Sequence, residues 1–226
     1  MWPTGFVEDK VLLEISKITV ERGGVALFHE LSSVLEPGTL LQVVGPNGAG
    51  KTTLLLAVAG LLPLAAGRIL WNRKEVRQNP EEFARNMSYL GHAPGLKSAL
   101  DPLENLAFLL ALRQQPLAQA RLIEALLRVG LHGYERTPVG QLSAGQRRRV
   151  ALARLYLEQS VLWILDEPFT AIDLHGVEQL EHLLVNHAHN GGMVLFTTHH
   201  RLQDTDTLTV LDLRQWSSAV HPDEVR

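Results

Sequence analysis

An apolar run from Thr39 to Val44 leads directly into Gly45-Pro46-Asn47-Gly48-Ala49-Gly50-Lys51-Thr52, followed by Thr53 and a second apolar run. This spacing constrains the fold strongly, because Gly-x4-Gly-Lys-Thr demands a strand, a tight loop and a helix in immediate succession. Glycines let the loop backbone close around phosphate oxygens, and the helix that follows presents free amides and the positive end of its dipole to the same anion. Lys51 is expected to reach the β- and γ-phosphates of a nucleotide, and Thr52 to place its hydroxyl on magnesium. A glycine-rich stretch on its own can be no more than a turn. Two further segments argue against that here. Val161 to Asp166 is an apolar strand ending in Asp166-Glu167. Asp166 suits the same magnesium ion, directly or through water, which leaves Glu167 free to polarise an attacking water. Between these lies Leu142-Ser143-Ala144-Gly145-Gln146, which opens a helix and offers Ser143 and the following amides as a second anion site, although an ordinary helix cap explains that segment equally well.

The periodicities alternate between strand and helix. Leu12 to Val20 and Thr39 to Val44 read as strands, Lys51 to Leu61 as a helix, and Gly67 to Trp71 and Met87 to Leu90 as short strands. From Pro102 to Val129 the period is helical, with Leu103, Leu106 and Leu110 and then Leu122, Leu126 and Val129 on apolar stripes. A helix near Ser143, the strand Val161 to Asp166, a helix from Leu174 to His189 and strands at Met193 to Thr198 and Leu208 to Leu213 complete the series. Such alternation predicts an α/β fold on a mostly parallel sheet. The longest apolar run, Leu54 to Ala66, is broken by Gly60 and Pro63 and falls short of the roughly 20 residues of a membrane-spanning helix, so it reads as a buried helix. The segment from Trp216 to Arg226 reads as a polar tail.

A formal charge of −3 provides no global basic field for nucleic acid or anionic lipid, and the absence of cysteine removes disulfide, thiolate-metal and cysteine chemistry. Met1 to Lys10 lacks the apolar stretch of a signal peptide. Arg147-Arg148-Arg149 reads as a solvated helix face rather than a nucleic-acid contact. His182, His187 and His189 fall on or just after one helix, where exposed polar positions explain them better than a metal or haem cluster.

The three ordered motifs resemble those of the nucleotide-binding subunit of ATP-binding cassette (ABC) systems, from about Leu12 to about Leu213. The resemblance implies a P-loop NTPase with a RecA-like core, a mostly parallel sheet, an antiparallel β part and an inserted helical subdomain. Residues 1–226 then form one ABC domain, with a core lobe at about 1–92 and 160–226 and a helical signature lobe at about 93–159. It implies ATP and Mg2+ as ligands and a head-to-tail homodimer in which Leu142, Ser143, Ala144, Gly145 and Gln146 of one copy touch the γ-phosphate held by the other. Ala144 stands where the family usually has glycine. Glu167 and His199 take the catalytic positions, His199 standing at the end of an apolar strand, in Phe196-Thr197-Thr198-His199, where the family keeps a histidine that contacts the γ-phosphate, and Asp173 matches the inter-subunit loop. Two further departures stand out. The usual adenine-stacking aromatic is missing from Val20 to Gly23, where Arg22 offers a planar guanidinium instead, and His92 occupies the position of the glutamine in the loop that couples to the membrane partner.

Gly91-His92-Ala93-Pro94-Gly95-Leu96-Lys97 and Leu103-Glu104-Asn105-Leu106 resemble the branch of that family that supplies the ATPase of the haem exporter of cytochrome c maturation. That branch implies integral haem-exporter (Ccm-type) subunits as partners, a peripheral place on the cytoplasmic face of the bacterial inner membrane, and service to a periplasmic haem chaperone. No residue here is argued to ligate haem. An ABC ATPase for another substrate would share every catalytic motif and differ only in these two segments. A soluble ABC protein of DNA repair or translation is the rival of a different class; such proteins usually carry long coiled-coil inserts or two cassettes in one chain, and this chain has room for neither.

Overall fold

The computed structural model describes residues 12–200, 202 and 206–216. Within them, β3 (Leu40–Val44), β6 (Met87–Leu90), β7 (Leu162–Asp166), β8 (Met193–Thr197) and β9 (Leu208–Asp212) form a parallel sheet in the order β6-β7-β8-β3-β9. All residues of β7 and β8 are buried, as expected of inner strands covered on both faces. A second, antiparallel sheet runs in the order β2-β1-β4-β5, from β1 (Leu13–Arg22), β2 (Val25–Leu35), β4 (Ala66–Trp71) and β5 (Lys74–Glu75). Strand β2 was not expected from the alternation, which is broken at Glu30 by a φ of +47° and by shifts in its register with β1. The legible signal is Gly23-Gly24, whose φ values of +63° and +78° suit the tight hairpin joining β1 to β2.

Helix α1 (Lys51–Val58) ends sooner than the apolar run suggested. Gly60 turns the chain at φ +73°, and Leu61 beyond it is 60% exposed, so the run to Ala66 is no single buried helix. A short helix α2 (Pro80–Asn86) occupies the polar segment before β6, capped by Asn79 and opened by proline. Four longer helices follow, α3 (Pro102–Leu112), α4 (Gln119–Arg128), α5 (Ala144–Ala153) and α6 (Leu174–His189).

Three apolar clusters hold these layers. The first lies between the antiparallel sheet, α1 and one face of the parallel sheet, and the second packs α6 on the opposite face. The third lies among α3, α4, α5 and the segments that join them: Leu103, Leu106, Leu110, Leu122 and Leu126 cluster with Leu142 and Val150, while Val129 is only half-buried. Where this helical group meets the edge strand β6, the contact is polar. The buried carboxylate of Glu158 accepts from Arg154 Nε at 2.8 Å and from the hydroxyl of Ser88, and Arg113 donates to the Met87 carbonyl at 3.0 Å and to Ser160 Oγ at 2.8 Å. The C-terminal ends of β3, β7 and β8 lie side by side, the edge at which α/β sheets place ligands.

Candidate active site

Each of those strand ends delivers one part of the site. The loop after β3 turns into α1 at Gly50, whose φ of +91° favours glycine and which gives α1 no side-chain cap, so the first amides of the helix remain available to an anion. A Cβ at Gly48, φ +84°, would meet nothing, which leaves open space against the loop backbone. Ala49 N donates to the Pro46 carbonyl within the loop, and Lys51 Nζ reaches back to the carbonyls of Gly45 at 2.8 Å and Pro46 at 3.2 Å. Thr52 Oγ1 donates to Asp166 Oδ2 at 2.9 Å. The other carboxylate oxygen of this buried residue accepts from Thr197 Oγ1 at 2.7 Å, which in turn accepts from the Glu167 amide at 2.9 Å. Thr197 was not singled out from sequence, although a threonine closing an apolar strand beside Asp166 is the one polar group of β8. A hydroxyl and a carboxylate held together are hard oxygen donors of the kind magnesium takes, so the residues fit that ion.

Glu167 adopts φ +48°, a conformation disfavoured for a residue with a Cβ. His199 Nε2 stands 3.6 Å from its carboxylate, with a well-exposed side chain. One cleft is lined by Arg22, Asn47, Gly48, Lys51, Thr53, Glu167 and His199, so the structure brings the phosphate loop, both candidate catalytic residues and Arg22 to a single opening.

The Leu142–Gln146 segment does not line that cleft. Leu142 is buried in the helical cluster, whereas Ser143 is exposed and caps α5 in a reciprocal pair with Gln146. Asp173 caps α6 through the Gly176 amide at 3.0 Å and pairs with Arg149 at 2.8 Å; these two contacts, the amide foremost, hold its carboxyl below the usual range. His92 is exposed in the loop after β6, outside the cleft lining. Two readings of the sequence need correction. The Arg147 to Arg149 run is no solvated face: Arg148 is 4% exposed, because its guanidinium is enclosed by backbone carbonyls of other segments, and Arg149 is engaged by Asp173. Nor is His187 an exposed polar position. It stacks on Trp163 at 3.7 Å, bonds the Val161 carbonyl, and burial lowers its pKa to about 4, while His182 and His189 are exposed.

Comparison with known proteins gives a consistent result. Residues 28–170 match the family model described as ABC transporter. A Vibrio cholerae protein named cytochrome c biogenesis ATP-binding export protein CcmA is 50% identical over 188 residues, 83% of this chain and 91% of that protein. Among solved structures, a putative ABC transporter ATP-binding protein from Pyrococcus furiosus superposes with a TM-score of 0.79 at 23% identity, covering 92% of this chain and 100% of that one. A dimeric ATP-binding cassette in a post-hydrolysis state, bound to ADP and phosphate, gives 0.74 at 22% identity over 83% of this chain and 88% of the other. At these identities the two structures speak to the fold.

Proposed function

Because the chain belongs to the ABC transporter family, we propose that it is the ATP-binding and hydrolysing subunit of the haem exporter of cytochrome c biogenesis. In this reading it works as a homodimer on the cytoplasmic face of the inner membrane, attached to integral Ccm-type subunits, and energises haem delivery to a periplasmic chaperone. Among the described residues no helix is long and apolar enough to cross a membrane. The half-identical relative, whose name places it in cytochrome c biogenesis and export, supports the assignment of the pathway.

The observation that carries the enzymatic part is the chain Thr52–Asp166–Thr197–Glu167, which joins the phosphate loop to the ends of β7 and β8. Residues Gly45 to Thr53 hold the phosphates, Lys51 neutralising the outer ones, and Arg22 lies where the adenine ring would stack. Thr52 and Asp166 would hold Mg2+, which would neutralise charge on the phosphate oxygens. Glu167 orients a water and accepts its proton as the oxygen attacks the γ-phosphorus and ADP departs; His199, beside it, contacts the γ-phosphate. The Leu142–Gln146 segment of each copy closes on the nucleotide of the other, with Asp173 at the junction between copies. In this reading the chain is one ABC domain with a core lobe at about 1–92 and 160–226 and a helical signature lobe at about 93–159, and His92 reports the closure to the membrane subunits.

Glu167→Gln tests the assignment. It keeps the side chain's shape and removes the proton acceptor, so turnover is expected to fall about 10²-fold or more while ATP still binds. ATP-dependent dimers should accumulate on size-exclusion chromatography. Near-normal turnover would remove Glu167 from its role.

A further inference from the structure

Helix α5, which carries the Leu142–Gln146 segment at its start, grips the stretch after β7 at three separate points. A Cβ at Gly145 would stand 2.6 Å from the Ala171 carbonyl oxygen, so the two backbones are in direct contact. Arg149 pairs with Asp173 at 2.8 Å. Between them Arg148 runs inward, and its guanidinium donates from Nη2 to the carbonyls of Asp166 at 2.9 Å and Glu167 at 2.8 Å and from Nη1 to the carbonyl of Gly91 at 2.8 Å. We propose that Arg148 is a positioning residue for hydrolysis, holding the Glu167 backbone in its left-handed conformation and tying it, through Gly91, to the loop that carries His92. The inference rests on the reading of Glu167 as the group that activates water.

Both ends of Glu167 are restrained by side chains from elsewhere, its amide by Thr197 and its carbonyl by Arg148. A residue with a Cβ persists at φ +48° only where its surroundings over-determine it, and these two contacts do so. A buried guanidinium needs acceptors, and the planar fork of arginine spans three carbonyls in a way that the point charge of lysine cannot. Burial disfavours its charge, and the carboxylates of Asp166 and Glu167 offset part of that cost. Any displacement of α5 as its start meets a second copy is therefore passed to the catalytic backbone and to Gly91 together, one residue from His92.

ATP hydrolysis and nucleotide titration of Arg148→Lys and Arg148→Gln, each alone and combined with Glu167→Gln, provide the test. A small misplacement of a catalytic group costs up to about 10²-fold, so kcat should drop roughly 10- to 100-fold while ATP affinity stays within about threefold. In single-turnover measurements the double variants should be no slower than Glu167→Gln alone, since both changes act on one carboxylate. Unchanged kcat per folded molecule, even with a lowered melting temperature, would overturn the proposal, as would losses that multiply in the double variants. Should Arg148→Gln fail to fold, Arg148→Lys decides, because it keeps the charge and the stem. Failure of the underlying reading looks different: Glu167→Gln would itself turn over normally, whereas failure of this proposal alone leaves Glu167→Gln inactive and both Arg148 variants active.

Discussion

A methyl group at position 145 has nowhere to go, since the Ala171 carbonyl stands 2.6 Å from where it would sit and Ala171 is itself fixed at φ +64°. Gly145→Ala should therefore push α5 off the loop that follows Glu167, lowering ATP turnover while nucleotide titration still shows binding. Arg22 is exposed at the cleft rim, and one stacking contact there is worth about 0.5–1 kcal/mol, or a roughly two- to fivefold weakening of ATP binding in Arg22→Ala. Arg22→Tyr should restore it; unchanged affinity in Arg22→Ala would mean that adenine stacks elsewhere. His187 makes a prediction about pH. Its folded pKa of about 4 lies below the ordinary 6.5, so the unfolded chain binds the proton first, and stability present above about pH 6.5 is lost as pH falls toward 4. The loss approaches roughly 3 kcal/mol. Urea midpoints at pH 7.5 and 5 should converge in His187→Phe relative to the unchanged protein, whatever the variant's absolute stability.

At the scale of elements, α3 is the best determined by its own sequence. Asp101 accepts from the Glu104 amide at 2.8 Å and donates its own amide to the Glu104 carboxylate at 2.9 Å, with Pro102 at the first helical position, a start written in four consecutive residues. One turn further on, Asn105 is almost wholly buried and accepts from the Lys97 amide at 2.8 Å while donating to the carbonyls of Lys97 and Leu100. It anchors the far end of the His92 loop to the helical group. Asn105→Leu would strand those backbone groups without partners at a cost of at least about 2 kcal/mol, measurable as a lower urea midpoint. Other elements were harder to read. The cap and proline at Asn79-Pro80 were there to be recognised as the start of α2, but a helix of seven residues has too few turns for periodicity to register. In β2 the irregular register with β1 breaks the alternation on which a strand is recognised.

Within one molecule the Leu142–Gln146 segment and the phosphate loop do not share a cleft, so the reading of a complete site requires two copies. In the proposed head-to-tail dimer, Ser143→Arg would place bulk and charge at the other copy's γ-phosphate, and Lys51→Ala would remove a phosphate contact. Each homodimer should be inactive. In a mixed dimer both lesions fall in the same composite site and leave the second intact, so mixing the two proteins should restore hydrolysis; none under conditions where dimers form would count against head-to-tail closure.

The sequence by itself determined the parts whose physics is local. Glycine spacing before Lys51, apolar strands at Thr39–Val44 and Val161–Asp166, and helical stripes at Leu103, Leu106 and Leu110 depend on neighbours within a turn or a strand, and the structure places elements at each. Tertiary structure decided what depends on partners far along the chain. Arg148 is a charged residue among arginines until Gly91, Asp166 and Glu167 bring their carbonyls to it, and His187 is a polar helix position until Trp163 covers its ring. Burial is set by what packs against a side chain, and those partners come from other strands and helices, which local periodicity does not encode.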